Sequence, residues 1–302
     1  MSVAHVVWAS IRDWSRTHPL LVSNRYRDSM LTEDRIEILL RGGLGNQLFG
    51  FAAGRAISLR RQVPLHLVTR FPAEHIKDDR SFELSELTGG EVSHGPQSVA
   101  PRMFRESGFA WDARVEMLSQ PVLLDGNFQS AKYFQNAAEQ VKMTIRASSS
   151  FSTGGAKARK EPFIALQVRR GDYLNLTTRE FHGLLPESYF LEGLSKLREL
   201  LGPLPAVVYS DDFETAKAIA SRLKHSIPHC PAVNETAMET LGSLSVASGF
   251  CISNSSFGWW GAYLAESQAA VIAPRPWFAN PRVQTHDLLE PSWLTLGFFP
   301  EG

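Results

Sequence analysis

The chain of 302 residues has two cysteines, Cys230 and Cys251. Two such residues build neither a disulfide framework nor the paired spacing of a zinc site, and they fit a reducing compartment. No run approaches the ~20 apolar residues needed to span a bilayer. The opening MSVAHVVWASIRDW holds a short apolar patch broken by His5, and it lacks the charged start of a signal peptide. Charge of either sign is also missing in excess, since 31 basic residues balance 31 acidic ones. That balance excludes bulk binding to nucleic acid or to an anionic membrane, so any anion must be met by a local cluster. No carboxylates or histidines stand at metal-ligand spacing, and no glycine-rich loop carries the lysine of a phosphate-binding P-loop. These absences predict a cytoplasmic protein without a metal, associated with the inner face of the membrane peripherally at most.

What is present is an alternating pattern in two halves. IEILL (36–40) reads as a strand, GGLGNQ as a loop, FAAGRAISLRRQ as a helix and VPLHLV as a second strand. That order is the signature of a parallel sheet with crossovers. Residues 74–120 are irregular. VLLDGNFQSAKYF (122–134) runs from strand through turn to helix. The Ser-, Gly- and Lys-rich stretch RASSSFSTGGAKARKEP (146–162) reads as a domain boundary.

The pattern then restarts. FIALQV, AVVYS, GFCIS and AAVIAP are strands; ESYFLEGLSKLRELL, DDFETAKAIASRL and AMETLGSLSVAS are helices. The expected organisation is an N-terminal extension (1–34), a first β/α domain (35–150), a second (160–275), and a C-terminal segment (276–302) packing back on the first. Two such domains face each other across a cleft that can bind a ligand.

Four motifs sit where strands end. In GGLGNQ, Gly43 allows close approach to a ligand while Asn46 and Gln47 add donors; a tight turn before a capped helix explains the same residues. LQVRRGDY places Gln167, Arg169, Arg170 and Asp172 after a strand. Neighbouring side chains of an extended segment point opposite ways, so one arginine can fork a phosphate and the other can be held by Asp172. Asp211 and Asp212 end the next strand, fit to accept from a nucleoside or to cap a helix. CISNSSFGWWGAYLAES joins a strand to a helix through Asn254, Ser255 and Ser256, with Phe257 next. Such a joint is a plain N-cap or, with its free N–H groups and helix dipole, a seat for an anion. Together the motifs describe a sugar-nucleotide pocket.

GGLGNQLFGFAAGRA, DGNFQSAKYF, QVRRGDY, FHG before ESYF, and ISNSSFGWWGAYL resemble, in order and spacing, the bacterial α-1,2-fucosyltransferases. VIAPRPWF and PSWLTLGF add to the likeness, which covers roughly residues 36–298. The resemblance implies a GT-B-like α/β fold of two Rossmann-like domains, no cofactor or metal, and transfer of L-fucose from GDP-fucose with inversion. The acceptor would be a galactose-terminated oligosaccharide, lactose-like or an O-antigen or glycolipid. By position, Arg169 would contact the β-phosphate, Arg170 support the site and Asp172 order the loop. Asp211 or Asp212 would meet the guanine, Asn254 to Phe257 would lie near the phosphates, and Gly43, Asn46 and Gln47 would close over the fucose. Asp172 and His182 are the general-base candidates; alternatively the departing diphosphate takes the proton. Gln167 stands where the family carries histidine. That departure keeps a non-catalytic GDP-sugar-binding module in view, and the variable 74–120 region keeps another regiochemistry in view.

Overall fold

The computed structural model describes residues 34–69, 81–158, 160–174, 176–265 and 269–297. The expected N-terminal extension falls outside them, apart from Asp34. The first sheet is built from β1 (Ile36–Leu39), β2 (Leu65–Val68), β3 (Val92–Gly95), β4 (Met103–Arg105) and β5 (Val122–Asp125). Its order is β3-β2-β1-β5-β4, and every pairing is parallel. Ile36, Ile38, Leu65, Leu67, Val122 and Leu124 are buried, as the central strands of a covered parallel sheet require.

The second sheet has β6 (Ile164–Val168), β7 (Ala206–Ser210), β8 (Ser226–Pro228), β9 (Gly249–Ile252), β10 (Ala270–Pro274) and β11 (Leu294–Leu296). Its order is β11-β10-β9-β6-β7-β8, again all parallel. The chain therefore reverses direction across each sheet, at β1/β5 in the first and at β6/β9 in the second. Crevices form beyond the carboxyl ends of strands at such switch points.

Helix α1 (Leu44–Arg61) follows β1 directly. The glycine-rich loop is thus half loop and half first turn, and Leu44 to Gln47 are already helical. After β5 come α2 (Ala138–Arg146) and α3 (Ser149–Lys157); β6 and β7 are linked by α4 (Leu176–His182) and α5 (Glu187–Leu201). Helices α6 (Phe213–Arg222), α7 (Ala237–Ser245) and α8 (Ser256–Tyr263) complete the second half.

The Ser- and Gly-rich stretch that reads as a domain boundary contains helix α3, Ser149–Lys157. Its glycines bring it hard against α7: a β-carbon on Gly154 would lie 1.8 Å from the Glu239 carbonyl oxygen, and one on Gly242 would lie 2.0 Å from that of Phe151.

The halves share an aromatic core. Phe49 of α1 lies 4.6 Å from Trp259 and 5.2 Å from Trp260 of α8, centroid to centroid, and Phe134 stacks on Trp260 at 5.5 Å. Both tryptophans are fully buried. The segment after β10 touches both halves. Asp287 accepts from Trp111 N–H at 3.2 Å and pairs with Lys132, while Leu288 O accepts from Trp259 Nε1 at 2.8 Å. Among the described residues no helix is long and apolar enough to cross a membrane.

Candidate active site

A cleft of about 710 Å³ opens between the two switch points. Gly43 to Asn46 line it at the start of α1, and Asn127 and Gln129 after β5. Facing them are Gln167 near the end of β6 and Arg169 just after it, Ser210 at the end of β7 and Asp211 just after it, and Asn254 to Phe257 after β9.

The two arginines have different surroundings, as an extended segment predicts. Arg169 is in the cleft wall, with Nη1 2.9 Å from Asp211 Oδ2 and its guanidinium 5.7 Å from the Tyr173 ring centroid. Arg170 is behind the wall. Its guanidinium donates to Arg169 O at 3.0 Å and lies over the Phe190 ring. Burial lowers its pKa, and the charges of Asp211, Asp212 and Glu187 work against that shift. Asp211 also accepts from Arg170 N–H at 2.8 Å, so it staples the turn after β6. Gly171 is needed there, since a β-carbon would lie 2.2 Å from Asp211 Oδ2. The carboxylate seen holding an arginine is therefore Asp211, from the next strand. The side chain of Asp172 lies outside the described residues. Asp212 is a helix cap and no part of the wall: it accepts from Glu214 N–H, Thr215 N–H and Thr215 Oγ1.

Gln167 sits at the switch point itself, on the strand that pairs with both β7 and β9. Its Oε1 accepts from Ser253 Oγ at 2.6 Å and from Ser253 N–H at 3.3 Å. A backbone N–H can only donate, so the carboxamide oxygen is fixed on that side and the NH₂ group turns toward the cleft. Gly258 makes room for it, since a β-carbon there would lie 2.4 Å from Gln167 Oε1.

At the α8 end the three polar residues divide their roles. Asn254 is consumed structurally: its amide donates to His182 O at 2.6 Å and to Gly183 O at 3.4 Å. Ser255 is the N-cap residue without a side-chain capping bond, and Ser256 and Phe257 form the first turn. The first-turn N–H groups of a helix have no intrahelical partner and carry the positive end of its dipole. His182 closes the same wall. Tyr173 Oη donates to Asn254 O at 2.8 Å and lies 3.2 Å from His182 Nδ1. With the phenol proton donated to Asn254 O, the phenol oxygen is left to accept from His182 Nδ1–H.

Across the cleft, Asn46 Oδ1 accepts from Gln129 Nε2 at 2.9 Å. Gln47 corrects the sequence reading. It is fully buried, with Nε2 donating to Gly42 O and Ser81 O and Oε1 accepting from Glu83 N–H, and it does not line the cleft. Its work is to tie the segment carrying Glu83 to α1.

Sequence reasoning missed Glu83, Phe109, Asn127, Gln129, Trp277 and Phe278 in the wall. Phe109, from the irregular region, meets Phe278 at 4.6 Å, and Phe278 meets Phe181 at 5.0 Å. The loop bearing Asn127 and Gln129 hangs on Glu106, whose Oε2 accepts from Asn127 N–H at 2.7 Å and Phe128 N–H at 3.0 Å. Burial pushes the Glu106 carboxyl above its ordinary range despite those bonds. At the opposite end of the cleft Tyr209 stacks on His229 at 4.5 Å, and His229 Nε2 lies 2.8 Å from Glu235 Oε1. Among the described residues no three His, Cys, Asp or Glu side chains converge as a metal site.

The sequence model of glycosyl transferase family 11 matches residues 112–297. An α-1,2-colitosyltransferase of Escherichia coli is 26% identical over 282 residues, covering 85% of this chain and 97% of that protein. The O-antigen biosynthesis glycosyltransferase WbnK of Escherichia coli is 31% identical over 137 residues, 44% of each chain. A solved structure of the NodZ α-1,6-fucosyltransferase soaked with GDP-fucose superposes with a TM-score of 0.50 at 14% identity, over 77% of this chain and 93% of that one. At that identity the likeness concerns the fold, which is GT-B-like.

Proposed function

Because the chain belongs to glycosyl transferase family 11 and is a glycosyltransferase, we propose that it moves L-fucose from GDP-fucose to the 2-hydroxyl of a galactose-terminated glycan, with inversion. The observation that carries this reading is the convergence of Arg169 and the N-terminus of α8 on one cleft wall, beside the switch point. A guanidinium and a helix N-terminus together suit a diphosphate. The nucleoside is assigned to the end formed by Tyr209, Asp211 and His229, and the sugars to the end formed by His182, Phe278 and the first domain.

In the proposed reaction the acceptor oxygen attacks the fucose anomeric carbon while the bond from that carbon to the phosphate oxygen breaks. Positive charge develops on the sugar ring and negative charge on the β-phosphate. Arg169 and the N–H groups of the first turn of α8 meet the latter where it develops. The hydroxyl proton passes to a base, for which His182 and Glu83 are the candidates on the two walls, or to the diphosphate itself. Single-turnover rates of His182→Ala and Glu83→Gln separate these: a loss confined to one variant names the base, and no loss in either leaves the diphosphate. The cation and the helix dipole take the place of a divalent ion, so turnover should persist in excess EDTA; loss in EDTA with rescue by Mn²⁺ would refute that part.

The E. coli colitosyltransferase supports a second donor reading, in which the sugar lacks the 3-hydroxyl of fucose. Calorimetry and GDP release with GDP-fucose and GDP-colitose, using lactose as acceptor, decide between them. An acceptor from O-antigen assembly fits the name of WbnK.

A further inference from the structure

A second cavity of about 340 Å³ lies beyond the main cleft, and Trp277 stands in the walls of both. Its other walls include Arg275, His286, Glu290 and Trp293. The cavity is held from behind. Strand β11 pairs with β10, turns close at Thr285–Leu288 and Glu290–Trp293, and Leu288 O is bonded to the buried Trp259 indole. Asp287 ties the same segment to Trp111 and Lys132 of the first half.

Four of its polar groups are unspent, while His286 Nε2 lies 3.2 Å from Asp287 Oδ2. Among the described residues no side-chain hydrogen bond or ion pair engages the Arg275 guanidinium, the Glu290 carboxyl, or the indole N–H of Trp277 or Trp293. Burial raises the Glu290 carboxyl, and the charge of Lys142 offsets that only in part. A half-desolvated carboxyl without donors is unfavourable by itself, and it gains when donors arrive. A carboxylate and a guanidinium in one cavity cancel any preference for net charge. Two indoles offer flat apolar faces and two donors. Flat apolar faces ringed by paired acceptors and donors match a neutral polyhydroxylated ring, whose C–H face stacks while its hydroxyls bridge the polar groups.

We propose that this cavity is a subsite for a distal sugar of the acceptor glycan, with Trp277 as the wall shared between the reacting and the distal sugar. The subsite's role in acceptor binding rests on the function proposed above. The test is direct glycan binding by calorimetry and saturation-transfer NMR without any donor, comparing lactose with the galactose-terminated tetrasaccharide lacto-N-neotetraose. The wild type should bind the tetrasaccharide roughly tenfold more tightly. Glu290→Gln and Arg275→Ala should each remove most of that difference, while lactose binding, GDP binding and the melting temperature stay unchanged. Trp293→Ala should do the same, but it also loses the 5.6 Å contact with Trp259, so the two polar variants decide. Equal affinity for both glycans, or a length preference untouched by the two variants, overturns the subsite. Because no transfer is read, this failure is separate from failure of the fucosyltransfer reading.

Discussion

Gly45, in the first turn of α1, stands against Ser256, the first residue of α8, so closely that a β-carbon on Gly45 would lie 2.6 Å from both the Ser256 carbonyl carbon and Phe257 N. Two helix N-termini from different sheets thus meet at the cleft, and their spacing is set by a missing methyl group. Backbone atoms cannot swing aside as a flexible side chain can. Gly45→Ala should therefore destabilise by about 1–3 kcal/mol, the usual range for overpacking, and should weaken GDP binding. Gly50→Ala is the control in the same helix, since its β-carbon would meet Leu40 at an ordinary 3.4 Å. Thermal melts with and without GDP check both, and equal behaviour of the two variants would contradict the contact.

Arg169→Ala should lower kcat by about 10²–10³, the loss typical of a donor aimed at developing transition-state charge. Arg169→Lys should recover little of it, because a point charge replaces a planar fork. Asp211→Asn should cost less, since it keeps an oxygen for Arg170 N–H but loses the ion pair that orients Arg169. Steady-state rates at saturating donor give the ranking. An Arg169→Ala enzyme with near-normal turnover would remove Arg169 from the mechanism.

Gln167 and Gly258 should behave as one unit. Gln167→Ala removes a donor fixed toward the cleft and should weaken GDP binding by about 0.5–1.5 kcal/mol, the net worth of one hydrogen bond. Gly258→Ala pushes on Gln167 Oε1 from behind and should reproduce the loss without touching any ligand. Calorimetric titration with GDP measures both. If the double variant loses the sum of the two effects, the coupling is refuted.

The pH dependence of stability should carry the mark of Glu106. Its folded pKa is raised by burial from the ordinary 4.5. Below 4.5 the carboxyl is protonated in both states and its contribution is fully present. As pH rises through the folded pKa, that contribution is lost, because the folded state must then bury a charge. Asp112 is lowered, chiefly by Arg114, so its effect falls below 3.8 and does not overlap. Urea unfolding from pH 4.5 upward should show the wild type losing stability relative to Glu106→Gln. A constant difference between the two would contradict the shift.

Seven of the eleven described strands and the long helices were legible because their patterns are local; β3 and β4, inside the stretch that reads as irregular, and β8 and β11 are three or four residues each, too short to show a pattern. Residues 187–201 carry apolar side chains three and four apart, and residues 206–210 form a buried run; both elements have the expected bounds. Arg169, Asp211 and the joint at Ser255 were legible as strand-end residues, because strand ends face the crevice in any parallel sheet. The rest depended on contacts distant in sequence. Helix α3 reads as low complexity until Gly154 is seen against α7, where small residues are what the packing demands. Gln47 reads as a ligand donor until the Ser81 and Glu83 backbones claim it. Phe109 carries no local signal, and Trp277 and Phe278, which end the VIAPRPWF motif, carry none that points to the cleft, since the wall they share is closed by chain segments far apart in sequence.

One reaction tests fucosyl transfer at this cleft: the purified protein, GDP-fucose and lactose, with GDP release followed in time and the product linkage read by NMR. The expected product is a fucosyl-lactose carrying fucose on O2 of galactose, with anomeric configuration inverted relative to the donor, and its formation should be slowed by orders of magnitude in Arg169→Ala. Fucose on another hydroxyl, retained configuration, or tight GDP-fucose binding with neither transfer nor slow hydrolysis would contradict that expectation.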